Sequence, residues 1–142
     1  MRRSLICFVA IALMTACNGP AGNDPVEAAI QENCGPLDGS AFDLAIPDRS
    51  GRTIRVLQAP TAFDETNAYS IPIGHRDAGM IVQSCAADGG TCESATDATL
   101  DLRRLGEGRY SGRIEADFPD AGERAIAFFG RARRMPDGVA CG

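Results

Sequence analysis

The stretch RYSGRIEADF, residues 109–118, decides the fold of this chain. Its small and apolar residues alternate with polar ones, and a period of two is typical of a strand with one buried face. The members of that face are Tyr110, Gly112, Ile114, Ala116 and Phe118. Residues 119–122, Pro-Asp-Ala-Gly, are turn formers, and an apolar run at 125–133 follows them. The sequence therefore predicts a β-hairpin at this point.

The turn also predicts the register of the hairpin. With the register of a three-residue loop, Phe128 lies opposite Gly112 and Ile126 lies opposite Ile114. An aromatic side chain across from a strand glycine fills the space that the glycine leaves empty. We expect the two strands to share one apolar face, which belongs to the core.

The same alternation extends upstream of the hairpin. It predicts five further strands, at residues 41–46, 53–59, 69–73, 79–85 and 100–104. Because proline has no backbone N–H, Pro72 places strand 69–73 at a sheet edge. About seven strands separated by turns predict a mainly β fold, either an antiparallel β-sandwich or a small barrel. Alternation leaves both architectures open.

A short N-terminal helix is expected just before these strands. Asp24 suits the cap position, Pro25 suits the first helical position and Glu27 completes a capping box. Residues 28–30 continue the pattern for two turns, and residues 33–36 end it.

The first residues have the features of a targeting signal. Arg2 and Arg3 precede an apolar core at residues 5–16. This core has 12 residues, whereas a membrane-spanning helix needs about 20. Residues 1–16 are therefore predicted to be a signal peptide and not a retained transmembrane anchor.

The end of this segment, Leu13-Met14-Thr15-Ala16-Cys17, is more specific. It resembles the lipobox of bacterial lipoproteins, with Met14 where that family prefers leucine. The resemblance implies cleavage before Cys17 and a thioether-linked diacylglycerol on its sulfur, so that the protein is anchored to a membrane of the bacterial cell envelope. Ordinary secretion is the alternative.

This interpretation also divides the chain. Residues 17–24 form a lipidated tether and residues 25–142 form a single β domain. Asn18 follows the cysteine, and the sorting rule of enteric lipoproteins then favours the outer membrane, with the domain facing the periplasm.

Four cysteines remain in the predicted domain, namely Cys34, Cys85, Cys92 and Cys141. An even number in an exported domain predicts two disulfides, for which three connectivities exist. We favour Cys85–Cys92, which brackets a glycine-rich turn, and Cys34–Cys141, which joins the ends of the domain. The spacing lacks the CxxC pairs typical of metal or redox sites.

Charge is spread unevenly along the chain. All 14 basic residues are arginines. Residues 17–102 hold 4 arginines and 13 acids, a net charge of −9, whereas residues 103–134 hold 8 arginines and 5 acids, a net charge of +3. The mature chain, with 12 arginines and 19 acids, is too acidic overall to suggest a nucleic-acid partner.

Arginines on the hairpin form the best candidate contact surface, for an anionic component of the envelope or an envelope protein; they are Arg109, Arg113, Arg131 and Arg133. In the predicted register Arg109 faces Arg131, and Arg113 is expected near both. Like charges opposite each other are destabilising unless an acid joins them, and Glu107 or Glu115 could do so. A solvated or internally paired strand face is the competing interpretation.

Catalytic equipment is sparse. His75 is the single histidine, and a hydrolase could use it as a general base beside Asp77, with Ser70 or Ser84 as nucleophile. No G-x-S-x-G elbow accompanies it, so an exposed loop histidine is the simpler interpretation. No calcium-binding loop motif is present among the carboxylates. We expect no metal and no cofactor.

Together these features predict a membrane-tethered envelope lipoprotein that acts as a non-catalytic interaction or binding module. The alternative from another class is a carrier with a small ligand inside a β-barrel cavity. A hydrolase using His75 ranks third.

Overall fold

The computed structural model describes residues 24–35, 39–73, 79–137 and 141. These residues form ten β-strands and no helix, so the protein is mainly β. The strands are β1 (Val26–Glu27), β2 (Ala29–Cys34), β3 (Ser40–Pro47), β4 (Thr53–Pro60), β5 (Ala68–Ile73), β6 (Ile81–Cys85), β7 (Cys92–Ser94), β8 (Asp97–Gly106), β9 (Arg109–Phe118) and β10 (Gly122–Arg133).

All ten strands belong to one sheet, which curls into a half-barrel. Its strand order is β5-β8-β9-β10-β2-β3-β4-β6-β7, and β1 also pairs with β10. Strand β10 lies in the centre and joins two antiparallel halves. Its pairings with β1 and β2 are parallel, so the N-terminal segment connects the halves.

The predicted N-terminal helix is wrong, because β1 and β2 occupy its residues. A two-turn helix is marginal in water on its own. As strands, the same residues pair with β10 through Val26–Phe128 and Ala132–Ile30. Ala28 and Ile30, two positions apart, are both buried there. Long-range pairing thus outweighs the local capping pattern.

The seven predicted strands are all present, as β3 to β6 and β8 to β10. Strand β5, which contains Pro72, is at one edge of the sheet as expected. Three strands were not predicted, namely β1, β2 and the short β7 at the opposite edge.

The predicted register of the β9–β10 hairpin is confirmed. Phe128 pairs with Gly112 and Ile126 pairs with Ile114. A Cβ atom added at Gly112 would collide with the backbone oxygen of Asp101 and come within 2.6 Å of the Phe128 ring. The ring therefore occupies the space above the glycine.

The core lies inside the curl and takes residues from both halves of the sheet. Its largest fully buried apolar members are Ile30, Phe42, Leu44, Ile46, Ile54, Val56, Leu100, Leu102, Ile114, Phe118 and Phe128. Each Å² of apolar surface that these side chains remove from water stabilises the folded state by about 25 cal/mol. The side chains fill the inside of the half-barrel.

Chain segments connect the two halves at both ends of the curl. At one end, which we call the mouth, the ring of Phe63 packs against Phe42 and Tyr110, and the Tyr69 hydroxyl donates to the Pro60 carbonyl at 2.9 Å. At the other end the backbone N–H of Asp120 donates to Glu93 at 2.9 Å. Loop contacts therefore hold the open sheet in its curled shape.

Both predicted disulfides are present. Cys34–Cys141 lies at the mouth, where β2 ends, and Cys85–Cys92 closes the β6–β7 hairpin at the opposite end. The bonds thus join segments separated by 107 and 7 positions in sequence.

Asp48, in the turn after β3, is expected to make stability depend on pH. Burial alone raises its pKa, but hydrogen bonds from Ser50 and Arg124 outweigh burial and hold the pKa below its ordinary value of 3.8. A lowered pKa stabilises the fold above the ordinary value, and this contribution disappears as the pH falls through the folded-state pKa. Asp48→Asn should therefore cost about 1–2 kcal/mol at neutral pH and little in strong acid.

Urea unfolding at several pH values measures this difference. Asp120→Asn, which removes an exposed carboxylate, is the matched control and should leave the free energy of unfolding almost unchanged. A loss in Asp48→Asn that is the same at every pH would contradict the assignment.

Candidate functional site

The outer face of the β8–β9–β10 half carries the predicted arginines. At the mouth end of this face lies a set of exposed residues that we call the basic patch, which consists of Arg103, Arg109, Phe129, Arg131 and Arg133. The register places Ser111 between Arg103 and Phe129 in one row, and pairs Arg109 with Arg131 in the next row.

The predicted Arg109–Arg131 pair is confirmed. Directly opposed residues have Cβ atoms about 5 Å apart, so two guanidinium groups share a small area. Within the described part of the chain, no carboxylate lies within 4.0 Å of Arg109, Arg131 or Arg133. Glu107, expected as a counter-charge, forms no ion pair with them. The positive charge of the patch is therefore available to a partner.

The expected position of Arg113 near both of these arginines is wrong. Arg113 pairs with Ala127 on one side and Asp101 on the other. It is four residues from Arg109, about 14 Å along the strand. Its Nε lies 2.7 Å from Glu115 Oε1, so Glu115 neutralises Arg113 and not the patch.

Two large apolar side chains are exposed beside the charges. Phe129 is 46% exposed and Leu105 is 52% exposed. Leu105 lies where the β8–β9 register shifts between Arg104 and Gly106, and such a bulge turns a side chain away from the regular ladder. Exposed apolar groups rimmed by polar residues are typical of a contact surface.

The opposite end of the same face is acidic. Asp117 pairs with Asp97 on one side and Glu123 on the other, so three carboxylates form one row across the sheet. Among the residues with described positions, no group of three or more histidine, cysteine or acidic side chains is arranged to hold a metal ion. The outer face is thus electrically polarised along its strands.

The described residues do not form a catalytic site of the kind that the hydrolase alternative requires. Ser84 is fully buried, and its hydroxyl accepts a hydrogen bond from Arg52 Nε at 2.7 Å. Ser70 lies on the edge strand β5. His75 and Asp77 lie outside the described residues, as does the lipidation candidate Cys17.

The mouth itself holds a pocket of about 260 Å³ that the sequence did not predict. Its lining combines aromatic, hydroxyl and charged groups, from Glu32, Ser40, Phe42, Thr61, Arg104, Tyr110 and Met135. Burial raises the pKa of the Tyr110 phenol and raises that of Tyr69, nearby in the same aromatic cluster, more strongly. Both phenols therefore stay protonated at neutral pH.

Comparison of the chain with protein-family models, with curated proteins and with solved structures finds no match. The described residues include no helix long and apolar enough to cross a membrane. The fold and the surface define a disulfide-bonded, mainly β protein whose outer face is basic at one end and acidic at the other. Its function has to be inferred from that face and from the mouth.

Proposed function

We propose that the chain is a lipid-anchored protein of the bacterial cell envelope whose single β domain is a non-catalytic binding module for an anionic membrane surface. A lipid on Cys17 anchors the protein, residues 17–24 are the tether, and the basic patch contacts lipid phosphates. The observation that carries this proposal is the Arg109–Arg131 pair, which has no carboxylate within 4.0 Å among the residues that the structure describes.

The chemistry of this pair favours phosphate. Opposed like charges on neighbouring strands destabilise a sheet, so Arg109 and Arg131 are not explained by folding. An anion between them would remove the repulsion. Guanidinium groups bind phosphate oxygens with two parallel hydrogen bonds, and the weak hydration of guanidinium lowers the cost of contact with a headgroup layer.

Apolar groups in the patch support the same partner. Aromatic and aliphatic side chains next to arginines are typical of surfaces that lie in the interface between headgroups and acyl chains. Phe129 is on the same face as Arg131, two residues away. An acidic protein could recognise the charges as well, and is the competing partner for this patch.

The position of the tether is compatible with membrane contact. Strand β1 begins at Val26, which pairs in parallel with Phe128, so the tether leaves the sheet toward its acidic end, where the Asp24 carbonyl accepts a hydrogen bond from Arg49. Asp24 therefore lies about 17 Å along the strands from the level of Arg131. Eight residues from Cys17 to Asp24 reach at most about 27 Å when extended. A lipid on Cys17 would therefore keep the basic patch within reach of the membrane that holds the lipid.

The alternative of a carrier with an internal cavity receives less support. Phe42, Phe118 and Phe128 are at most 2% exposed and fill the inside of the curl together with the aliphatic core. This packing favours a surface-binding module. A half-barrel is intermediate between a sandwich and a closed barrel. We propose that the functional form is an open barrel, because loops bridge both ends of the curled sheet.

Vesicle binding tests the proposal. The chain from residue 18 onward should bind vesicles rich in phosphatidylglycerol and not vesicles of phosphatidylcholine. Each basic residue near an anionic surface contributes about 1 kcal/mol. Because reversal replaces attraction by repulsion, Arg109→Glu/Arg131→Glu should weaken binding by at least about thirtyfold, which co-sedimentation measures.

The matched control is Arg49→Glu/Arg55→Glu, which makes the same change in net charge at exposed positions outside the patch. It should bind almost as well as the unaltered chain. Equal losses in both variants would show that binding depends on overall charge. Failure to bind vesicles, combined with in-cell crosslinking to one acidic protein that Cys17→Ser abolishes, would assign the patch to a protein partner.

A further inference from the structure

The inward faces of two strands change character at the mouth. In β8 the buried Leu100 and Leu102 are followed, at the next inward position, by Arg104. Along the N-terminal segment, the buried Ala28, just before β2, and the buried Ile30 in β2 are followed in the same way by Glu32. Arg104 is exposed and Glu32 is half-buried at the mouth. A charged residue at an inward-facing strand position still departs from the apolar pattern of the strand, and such departures are expected at functional sites.

Both charged residues line the mouth pocket of about 260 Å³. Its floor is aromatic, since the rings of Phe42 and Tyr110 meet edge to face with centroids 4.9 Å apart. Ser40 and Thr61 add hydroxyl groups at the rim. The pocket therefore offers an apolar floor together with one positive group and one negative group.

The two charges do not neutralise each other. Arg104 and Glu32 form no ion pair within 4.0 Å with each other or with any other described residue. Instead the Arg104 guanidinium lies over the Phe63 ring, 4.5 Å from its centroid. That contact positions the cation, and its hydrogen-bond donors remain open to an anion.

Both charged side chains influence the pKa of the Tyr110 phenol. Arg104 lowers and Glu32 raises the pKa of the Tyr110 phenol, while burial raises it most. Both charges therefore act on the same hydroxyl. Among the described residues the Tyr110 hydroxyl has no hydrogen-bond partner, although that of Tyr69 binds Pro60. A protonated phenol can both donate to a ligand and accept from it.

The electrostatics select the ligand class. A simple anion that approaches Arg104 meets Glu32, and a simple cation that approaches Glu32 meets Arg104. A zwitterion satisfies both, with a carboxylate at Arg104 and an ammonium group at Glu32. Binding sites for drug-sized ligands have volumes of about 300–1,000 Å³, so this pocket suits a smaller molecule.

We infer that the mouth pocket binds a free α-amino acid, with the carboxylate on Arg104, the ammonium group on Glu32 and the side chain on the aromatic floor of Phe42 and Tyr110. This site is separate from the basic patch, because it lies on the inner face of the sheet. Loss of amino-acid binding and loss of vesicle binding can therefore be told apart.

Calorimetric titration of the protein, purified as the cell produces it, tests the ligand class. The probes are L-leucine and two analogues that each lack one charge, 4-methylpentanoate and 3-methylbutylamine. We expect leucine to bind one-to-one, and each analogue to bind at least about tenfold more weakly, since one charge-assisted hydrogen bond is lost. Equal binding of 4-methylpentanoate and leucine would overturn the inference, because it would make the pocket a carboxylate site.

Variants test the assigned residues. Arg104→Gln and Glu32→Gln should each reduce leucine affinity at least about tenfold, whereas Arg55→Gln, at an exposed arginine of β4 outside both the pocket and the basic patch, should leave it unchanged. Circular dichroism establishes whether each variant is folded. If a variant does not fold, the comparison of leucine with its two analogues on the unaltered protein tests the inference. No binding of glycine, L-leucine or L-phenylalanine at millimolar concentration, or binding unaffected by either variant, would overturn the inference.

Discussion

Replacing Cys34 and Cys141 together with alanine is expected to lower the free energy of unfolding by about 4–5 kcal/mol. The disulfide joins positions 107 residues apart, so it removes a large part of the freedom of the unfolded chain. It also fixes the end of β2 at the mouth, where β2 pairs with β3. A loss of this size approaches the whole stability of many domains, which is about 5–15 kcal/mol.

The second disulfide provides the matched control. Cys85 and Cys92 are only 7 positions apart, and the same entropy argument gives about 2.5 kcal/mol for their replacement by alanine. Urea unfolding of both double variants measures the two losses. A smaller loss for the long loop than for the short one would contradict the role of Cys34–Cys141 as the main covalent constraint.

Phe128→Ala is expected to have the second largest effect, about 3–5 kcal/mol. The ring is 1% exposed, lies in the central strand β10 and covers Gly112. Removing it leaves a cavity at the point where β8, β9 and β10 pack together. Urea unfolding followed by tyrosine fluorescence measures the loss.

Gly112→Ala tests the close approach from the other strand. Its added Cβ would come within 2.6 Å of the Phe128 ring, and overpacking of this kind costs about 1–3 kcal/mol. Gly39→Ala is the control, because a Cβ there meets nothing within 4 Å. In Phe128→Ala the contact with the ring disappears, whereas the contact with the backbone oxygen of Asp101 remains, so the cost of Gly112→Ala should fall in part. A cost of Gly112→Ala that is larger in Phe128→Ala than in the unaltered chain would contradict the packing.

Features determined by short-range pattern could be predicted from the sequence. The β9–β10 register follows from one turn and one glycine–aromatic match, and it correctly placed Arg109 opposite Arg131. The Cys85–Cys92 pair likewise brackets its own turn. Each of these features depends on residues close together in the chain.

Apart from the Cys34–Cys141 disulfide, features that depend on distant pairings could not be predicted in the same way. Residues 24–34 carry a convincing helix start, and only the parallel partner β10, about a hundred residues later, makes them strands. The expectation that Arg113 lies near Arg109 and Arg131 is wrong because residues on one face of a strand need not be close, and four residues of a strand span about 14 Å.

The mouth pocket was missed for the same reason, since its lining comes from β2, β3, β8, β9 and adjoining loops. One local sign of it exists. Arg104 follows Leu100 and Leu102 at the next inward position of a predicted strand, where another apolar residue would be expected. A charged residue in that position is a sign that sequence reasoning can use.

The outer face explains the uneven charge of the sequence only in part. The positive excess of residues 103–134 is visible as the basic patch at the mouth end. The acidic row of Asp97, Asp117 and Glu123 lies on the same strands, at the opposite end. The patch is therefore defined by position along the strands, which the charge of a sequence segment does not reveal.

A single tryptophan reporter tests most directly whether the basic patch faces an anionic membrane. The chain contains no tryptophan, so Phe129→Trp introduces one indole within the patch. Ala125→Trp places the control on the same strand and face, about 14 Å closer to the acidic end.

Both variants are studied as lipid-anchored proteins on phosphatidylglycerol vesicles, by emission wavelength and by quenching with brominated lipids. The account predicts a blue shift and quenching for Phe129→Trp and neither for Ala125→Trp. Identical emission and quenching in the two variants would contradict it.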